Sequence, residues 1–235
     1  MTPALYLIPC PIGATPTEQV LPAYNKEVIL SIRHFIVEEI RTARRFLKSV
    51  DRSIDIDALT FHAMGKHADQ ALFASYLEPL RRGESVGIIS EAGCPAVADP
   101  GADIVAIAQR EGMRVIPLVG PSSILMALMA SGLNGQSFAF NGYLPIDPTQ
   151  RTRRIKQLEA RAQTEHQPQI FIETPYRNHK MLSDIIAACR PGTRLCIAAA
   201  ISTEQEYIRT QTIADWKKHP APNLAKLPTI FIIGS

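Results

Sequence analysis

The chain carries a glycine- and proline-rich loop, Ser90-Glu91-Ala92-Gly93-Cys94-Pro95-Ala96-Val97-Ala98-Asp99-Pro100-Gly101, between two patterns of regular structure. The apolar run 85–90 before it is typical of a buried strand, and residues 102–111 after it have helical periodicity. Ligands of parallel sheets bind beyond the carboxyl ends of the strands, where such loops lie. The length and stiffness of this loop therefore indicate a binding role. We expect its Asp99 to cap the helix that begins near Gly101.

Short apolar runs and amphipathic stretches alternate through the first half of the chain. Strands are predicted at 4–8, 35–38, 85–90 and 114–118, and helices at 41–48, 68–82, 102–111 and 122–130. Such alternation favours an α/β fold, with a mainly parallel sheet covered by helices. We therefore expect an N-terminal α/β lobe over residues 1–118.

The second half has more strands and fewer helices. A half-buried strand is predicted at 138–140, a polar helix at 151–163, and further strands at 169–173, 194–200, 206–211 and 229–233. This order predicts a C-terminal α+β lobe with a mixed sheet over residues 119–235. The boundary is expected between Pro117 and Pro121.

Two further loops follow predicted strands of the first half. They are Pro9-Cys10-Pro11-Ile12-Gly13 and Val119-Gly120-Pro121-Ser122-Ser123. Ser122 and Ser123 are suited to capping the next helix or to binding a carboxylate at its N-terminus. Because all three loops leave strand ends of one lobe, we expect them to form a pocket. Neither G-x-G-x-x-G nor a phosphate-binding P-loop motif is present.

The composition is that of a globular protein, with 46% hydrophobic and 20% charged residues and a formal net charge of +3. This charge permits an anionic partner such as RNA but does not require one. No pair of the four cysteines has C-x-x-C spacing, and the histidines lack H-E-x-x-H spacing, so we expect no metal. His62 and His67 are expected to be a surface pair. Without a signal-peptide or membrane-span pattern, we expect a cytoplasmic protein that contacts no membrane.

Taken in order, the three loops resemble those of the tetrapyrrole methylase family. The resemblance rests on Pro11-Ile12-Gly13, Ser90-Glu91-Ala92-Gly93-Cys94-Pro95, Asp99-Pro100-Gly101 and Gly120-Pro121-Ser122-Ser123. The continuations Phe138-Ala139-Phe140-Asn141-Gly142-Tyr143-Leu144-Pro145 and Ile172-Glu173-Thr174-Pro175-Tyr176-Arg177 are similar to one branch. That branch methylates a ribose 2′-oxygen of small-subunit ribosomal RNA. The resemblance covers nearly the whole chain.

The resemblance implies two α/β lobes with S-adenosylmethionine in the cleft between them, and a homodimer. It also implies ribosomal RNA or the small ribosomal subunit as the partner. In the first lobe and at the boundary, the cofactor would contact Pro11, Ile12, Gly13, Ser90, Glu91, Ala92, Gly93, Ala98, Asp99, Ser122 and Ser123. In the second lobe it would contact Tyr143, Leu144, Glu173, Thr174, Pro228 and Thr229.

The chain departs from the branch at positions that face the acceptor. Glu38-Glu39-Ile40-Arg41 replaces Glu-Asp-Thr-Arg, Pro175-Tyr176-Arg177 replaces Pro-His-Arg, and Ala199-Ala200-Ile201-Ser202-Thr203 replaces Arg-Glu-Leu-Thr-Lys. A ribose hydroxyl must lose its proton during transfer, and Glu38 or Glu39 is the candidate base. The alternative is that both are surface or helix-start acids.

Several arginines are candidates for binding RNA phosphate. Arg41, Arg44 and Arg45 belong to a predicted basic helix, and Arg177 would act with them from the second lobe, beside Arg151, Arg153 and Arg154. Taken singly, each cluster is more often explained as a solvated helix face.

Two other functions stay open at the level of sequence. One is a corrin or porphyrin C-methyltransferase, for which the missing Arg and Glu at Ala199 and Ala200 would matter less, because a nucleophilic carbon needs less proton removal. The other is a module that binds S-adenosylmethionine without turnover.

Overall fold

The computed structural model describes residues 2–65 and 68–235, and the chain divides into two compact units. The first unit ends at Ser122 and the second begins at Ser123. Each unit contains one five-stranded sheet. No helix within the described ranges is both long and apolar enough to cross a bilayer.

The first unit is built on a parallel sheet with the strand order β3-β2-β4-β1-β5. Its strands are β1 (Leu5–Ile8), β2 (His34–Val37), β3 (Thr60–Ala63), β4 (Val86–Ile89) and β5 (Val115–Pro117). Since all five run in one direction, the loops that follow them leave from the same edge. The predicted parallel α/β organisation is confirmed.

Both faces of this sheet are covered. Tyr6 and Ile8 of β1 pack into one hydrophobic cluster, whereas Leu5 packs into a second cluster on the opposite face. Such two-sided burial explains why the strands are short, continuous apolar runs. The helices of the unit are α1 (Thr17–Val20), α2 (Ala23–Ser31), α3 (Ile40–Val50), α4 (Glu78–Arg81) and α5 (Ala102–Arg110).

The helix predicted over 68–82 is wrong. The chain there forms two 3-10 turns, Gln70–Leu72 and Ser75–Leu77, before the short helix α4. Pro79 lies in the first turn of α4, where its missing amide hydrogen costs nothing. A continuous helix from residue 68 would place Pro79 in the interior, where proline breaks the hydrogen-bond ladder.

The second unit has a mixed sheet with the strand order β6-β7-β10-β8-β9. Its strands are β6 (Ala139–Tyr143), β7 (Gln169–Glu173), β8 (Arg194–Ala199), β9 (Tyr207–Thr212) and β10 (Thr229–Gly234). Strands β6 and β7 are parallel, and the other neighbours are antiparallel. This arrangement confirms the predicted α+β unit. Its helices are α6 (Ser123–Ser131), α7 (Pro148–Thr164), α8 (Asn178–Ala188) and α9 (Ile213–Lys218).

The core of the second unit lies between its sheet and the helices α7, α8 and α9. The buried Trp216 of α9 donates its indole N–H to the carbonyl oxygen of Leu195 at 3.0 Å. Phe171 and Phe231 stack across β7 and β10, with ring centroids 5.8 Å apart. Helix α7 contributes Ile155, among other residues, to the same cluster. One face of α7 is thereby directed inward.

Candidate functional site

The three glycine- and proline-rich loops of the first unit contact one another at the carboxyl edge of its sheet. Cys10 N donates to the carbonyl oxygen of Gly93 at 2.9 Å, and Gly93 N donates back to that of Cys10 at 3.0 Å. The Cys94 thiol donates to the carbonyl oxygen of Pro121 at 3.5 Å. A Cβ atom built on Gly120 would lie 2.2 Å from Cγ of Pro9. Each loop therefore touches the other two.

Gly93 lies at the junction of these loops. Its φ of +71° is in the left-handed region, which glycine adopts without a steric penalty. A Cβ there would meet Cγ2 of Ile12 at 3.4 Å and the carbonyl oxygen of Pro121 at 3.5 Å. The buried Ser90 hydroxyl donates to the carbonyl oxygen of Gly93 at 2.7 Å, which closes the turn. The loops thus form a slim, fixed rim.

A cavity of about 390 Å³ opens beside this rim, within the first unit. It lies between the first loop, from Cys10 to Gly13, helix α3 and the pair Ser90–Glu91. Helix α3 contributes Thr42 and Arg45, among other side chains. The volume is within the range of about 300–1,000 Å³ that is typical of small-ligand sites.

Three carboxylates lie at the same sheet edge because their strands are neighbours. Glu38 follows β2, and Glu91 and Asp99 follow β4. Burial, reinforced by the charges of Glu38 and Glu91, raises the pKa of Asp99 to about 6. The Oδ2 atom of Asp99 is buried and has no hydrogen-bond partner among the residues that the structure describes. The three carboxylates give this edge a local concentration of acidic groups, which is suited to a cationic ligand.

The expectation that Asp99 caps α5 is wrong. The N-cap residue is Gly101, and no side chain bonds the first turn of the helix. Ala96 N donates to the carbonyl oxygen of Pro100 at 3.3 Å, so the chain makes a turn of its own before the helix. Asp99 instead accepts a hydrogen bond from the backbone of Glu91.

The two candidate bases differ in their surroundings. Glu39 is the N-cap of α3, and its Oε1 accepts from the backbone N–H of Arg41 at 3.1 Å. Glu38 interacts electrostatically with Asp99 at the carboxylate edge. Glu91 is held in that group by the Thr42 hydroxyl, which donates to it at 2.6 Å. Glu39 therefore fits the hypothesis of a helix-start acid, and Glu38 lies where a catalytic base would be needed.

The candidate phosphate-binding arginines of the first unit lie along α3. The Arg44 guanidinium is 5.4 Å from the ring centroid of Phe61, at cation–π distance. Arg45 lines the cavity. Arg41, Arg44 and Arg45 form no ion pair with any residue in the described part of the chain. Their charges face solvent and the cavity mouth.

The Cys10 thiol at this site is unsuited to nucleophilic chemistry. Burial raises the pKa of the Cys10 thiol far above its usual range, so Cys10 stays protonated and is a poor nucleophile. Within residues 2–65 and 68–235, no three His, Cys, Asp or Glu side chains are placed to hold a metal ion. His67 lies outside the described residues, and His62 stacks on Tyr76 with ring centroids 4.7 Å apart.

In the second unit, several predicted cofactor residues meet at one sheet edge. Thr229 pairs with Glu173 on one side and with Ala199 on the other. The buried Glu173 carboxylate accepts from Thr174 N at 2.6 Å and from Arg177 Nη2 at 2.7 Å. Pro228 accepts a bond from Ala200 N at 2.9 Å. Arg177 is therefore already paired with a carboxylate.

The other predicted second-unit contacts differ in accessibility. Tyr143, at the end of β6, is 60% exposed, whereas Leu144 is 3% exposed and packs in the core. Leu144 can therefore offer a ligand only its backbone. Ser123 begins α6, as expected of a residue at a helix N-terminus. Ser122 ends the third loop of the first unit.

The overall fold matches solved tetrapyrrole methyltransferase structures. The methyltransferase CobJ superposes with a TM-score of 0.64 at 16% identity, covering 100% of this chain and 95% of that one. A cobalt precorrin-4 methyltransferase gives a TM-score of 0.62 at 14% identity, covering 98% and 94%. At these identities the likeness defines the fold class: two units, one with a parallel and one with a mixed sheet.

Sequence relatives define the family. Ribosomal RNA small subunit methyltransferase I of Mesorhizobium japonicum is 33% identical over 223 residues, covering 94% of this chain and 71% of the relative. Its counterpart in Vibrio cholerae is 29% identical over 215 residues, covering 91% and 70%. No family model matches the sequence. The chain belongs to the family of ribosomal RNA small subunit methyltransferase I within the tetrapyrrole methylases, and it is a methyltransferase.

Proposed function

We propose that the protein transfers a methyl group from S-adenosylmethionine to a ribose 2′-hydroxyl of small-subunit ribosomal RNA. The names of relatives that cover most of the chain support RNA as the acceptor. The observation that carries the proposal is the meeting of the three loops beside a carboxylate group and a cavity of about 390 Å³.

The residues of the first unit fit such a donor. When bound, S-adenosylmethionine supplies a methyl group carried on a positively charged sulfur. The charges of Glu38, Glu91 and Asp99 complement a cation, and the buried Oδ2 of Asp99 still lacks a partner in the described chain. The absence of a side chain at Gly93 leaves the rim thin enough for backbone contact.

We assign the donor contacts residue by residue. In the first unit they are Pro11, Ile12, Gly13, Ser90, Glu91, Ala92, Gly93, Ala98, Asp99 and Ser122. In the second unit they are Ser123, Tyr143, Leu144, Glu173, Thr174, Pro228 and Thr229. Ser90 has its hydroxyl engaged in the turn, so we assign it a backbone contact.

The chain's own contribution to chemistry is alignment and removal of a proton. Methyl transfer needs the donor and the acceptor held in line, which rigid loops favour. Glu38 is our candidate for accepting the hydroxyl proton, because Glu39 is engaged in the helix cap. Asp99, with a pKa of about 6, is a second candidate for the base, although the sequence pattern predicts it as a helix cap. Arg41, Arg44 and Arg45 would bind RNA phosphate near the cavity, and Arg177 would orient Glu173.

The test is transfer of labelled methyl from S-adenosylmethionine to small-subunit RNA from a strain that lacks the protein. We expect one labelled nucleotide, located by mapping, and no transfer when its 2′-hydroxyl is replaced by hydrogen. Transfer to the deoxy-substituted RNA would refute ribose methylation. Transfer only to a corrin or porphyrin precursor would move the function to carbon methylation, and donor binding without any transfer would indicate a non-catalytic module.

We further propose that the protein is cytoplasmic and homodimeric. A reducing compartment suits its four cysteines, which are all free thiols. Leu125 and Met129 lie one turn apart on α6 and are 49% and 82% exposed, which gives a second copy an apolar surface to cover. Light scattering during gel filtration would measure the mass, and a single-chain mass at micromolar concentration would refute the dimer.

A further inference from the structure

Helix α7 carries an open groove on the face that is turned away from the core. The groove has a volume of about 740 Å³. It is lined by Pro148, Thr149, Thr152, Arg153, Lys156, Gln157 and Ala160. The lining holds two cations and no acid, and its remaining polar groups are two hydroxyls and one amide. Such a surface is suited to an anion that also accepts hydrogen bonds.

The other charged residues of the α7 N-terminal half are engaged elsewhere. Arg151 is buried and pairs with Asp184 at 2.7 Å. Arg154 donates to Oδ1 of Asn141 at 3.0 Å. These two arginines are structural, although the sequence pattern groups them with Arg153 as phosphate contacts.

The one acidic residue of α7, Glu159, does not line the groove. Glu159 is buried, where it accepts bonds from Arg190 N and from the Thr193 hydroxyl. Arg153 and Lys156 have no ionic or hydrogen-bonding partner within the described ranges of the chain. Their two positive charges are therefore not neutralised by any of the described residues.

We propose that this α7 groove binds the phosphodiester backbone of the RNA substrate, an inference that rests on the proposed function. Arg153 and Lys156 are three residues apart, so their side chains start about 5–6 Å from each other on one helix face. Both can therefore contact neighbouring phosphates of one strand. Thr149, Thr152 and Gln157 supply donors for the remaining phosphate and sugar oxygens.

Charge decides between RNA and a protein partner. Burying two cations in a protein interface is costly unless the partner supplies matched carboxylates. An RNA backbone supplies the opposite charge at every nucleotide and remains partly hydrated, so an open, shallow groove is sufficient. The groove thus fits RNA better than a second copy of this chain.

The test compares two variants of the full chain that lose the same charge. In R153A/K156A the groove loses its cations, whereas K217A/K218A removes two exposed lysines from α9 of the same unit. Binding to small-subunit RNA from the deficient strain is measured between about 0.05 and 0.3 M salt, the range in which counterion release dominates. Calorimetry with S-adenosylmethionine shows whether each variant is folded and still binds the donor.

Counterion release sets the expected size of the effect. Each phosphate contact on single-stranded RNA contributes about 0.7 to the slope of log affinity against log salt, or about fivefold in affinity at 0.1 M. We expect R153A/K156A to bind RNA about 25-fold more weakly at 0.1 M salt, with the slope reduced by about 1.4. We expect K217A/K218A to retain a wild-type slope.

Two results would overturn the inference. One is wild-type RNA affinity of R153A/K156A, whether or not its oligomeric mass changes, and the other is equal weakening of both variants. Each of these leaves the proposed function intact if the wild-type chain still methylates RNA. Conversely, an absence of RNA methylation by the wild-type chain would remove the proposed function itself.

Discussion

Replacing Gly120 with alanine tests whether the first and third loops touch as closely as the structure describes. The added Cβ would lie 2.2 Å from Cγ and 2.5 Å from Cβ of Pro9, and 3.3 Å from Cδ2 of Leu21. Carbon atoms pack at about 3.5–4.0 Å, so Pro9 and Gly120 would have to separate by more than about 1 Å. A change of ring pucker can move Cγ of Pro9, but its Cβ is fixed by the backbone and would still lie 2.5 Å from the new atom, so the backbone of one loop must move.

The expected loss of stability follows from this overlap. Overpacking of a filled site costs about 1–3 kcal/mol. We expect the upper end, about 3 kcal/mol, because a rigid ring faces the new methyl group. For a chain of this size, each kcal/mol lowers the unfolding midpoint by about 2–4 °C, so the midpoint should fall by about 6–12 °C.

Thermal unfolding of Gly120→Ala is measured beside Gly135→Ala, since Gly135 has open space around its Cα. The control should unfold within about 1–2 °C of the wild type, as surface substitutions usually do. Affinity for S-adenosylmethionine, measured by calorimetry, should fall in Gly120→Ala because the loop rim widens. If Gly120→Ala unfolds with the control and binds the donor normally, the loops do not meet as described.

Four further predictions concern single substitutions. Asp99→Asn should raise the thermal midpoint at pH 8 and change it little at pH 4. Because the pKa of Asp99 is raised to about 6 in the fold, ionising its carboxyl destabilises the folded state. This penalty begins near pH 4 and is complete above about pH 6. Ala98→Gly should stabilise the protein by about 0.5–1 kcal/mol in urea unfolding, because Ala98 has a φ of 58°. Arg151→Leu should cost about 2 kcal/mol, because the partly buried Asp184 would keep only Lys180 as an ion-pair partner and the Ile146 carbonyl oxygen would lose its donor; unchanged stability would contradict that pairing. Glu39→Ala should cost about 1 kcal/mol through the lost cap and lower methyl transfer less than Glu38→Gln does.

The strands were the most predictable part of the fold, because each is a short apolar run bounded by turn residues. The bounds predicted for Gln169–Glu173 agree with β7. Strand β3 was missed because Thr60–Ala63 is an edge strand with partly exposed side chains and therefore lacks a long apolar run. The pattern at 68–82 was misleading because successive 3-10 turns can show a similar apolar periodicity. Pro79 is compatible with the first turn of a helix but not with a helix interior, so it indicates that the helix begins close to it.

The site was predictable as a set of loops but not as a set of contacts. Loop position follows from strand order along the chain, and the three loops do meet. The carboxylate group could not be predicted in the same way, because it requires β4 to lie between β2 and β1. That strand order brings Glu38 close enough to influence Asp99, although the two are distant in sequence. The neighbouring sequence alone predicts that Asp99 caps α5. In the folded chain Asp99 instead interacts with Glu91 and Glu38.

The changed segment after β8 bears on how the acceptor is held. Ala199 is fully buried in the core cluster, and Ala200 is almost buried with a φ of 49°. The Thr203 hydroxyl donates to the carbonyl oxygen of Ala200 at 2.7 Å, so the turn is closed without the charged residues that the branch usually has there. A charged side chain at position 199 would have to leave this core, since burying an unpaired charge is strongly unfavourable. The cations of α3 and of the α7 groove, which form no ion pair within the described residues, are therefore our proposed contacts for an anionic acceptor.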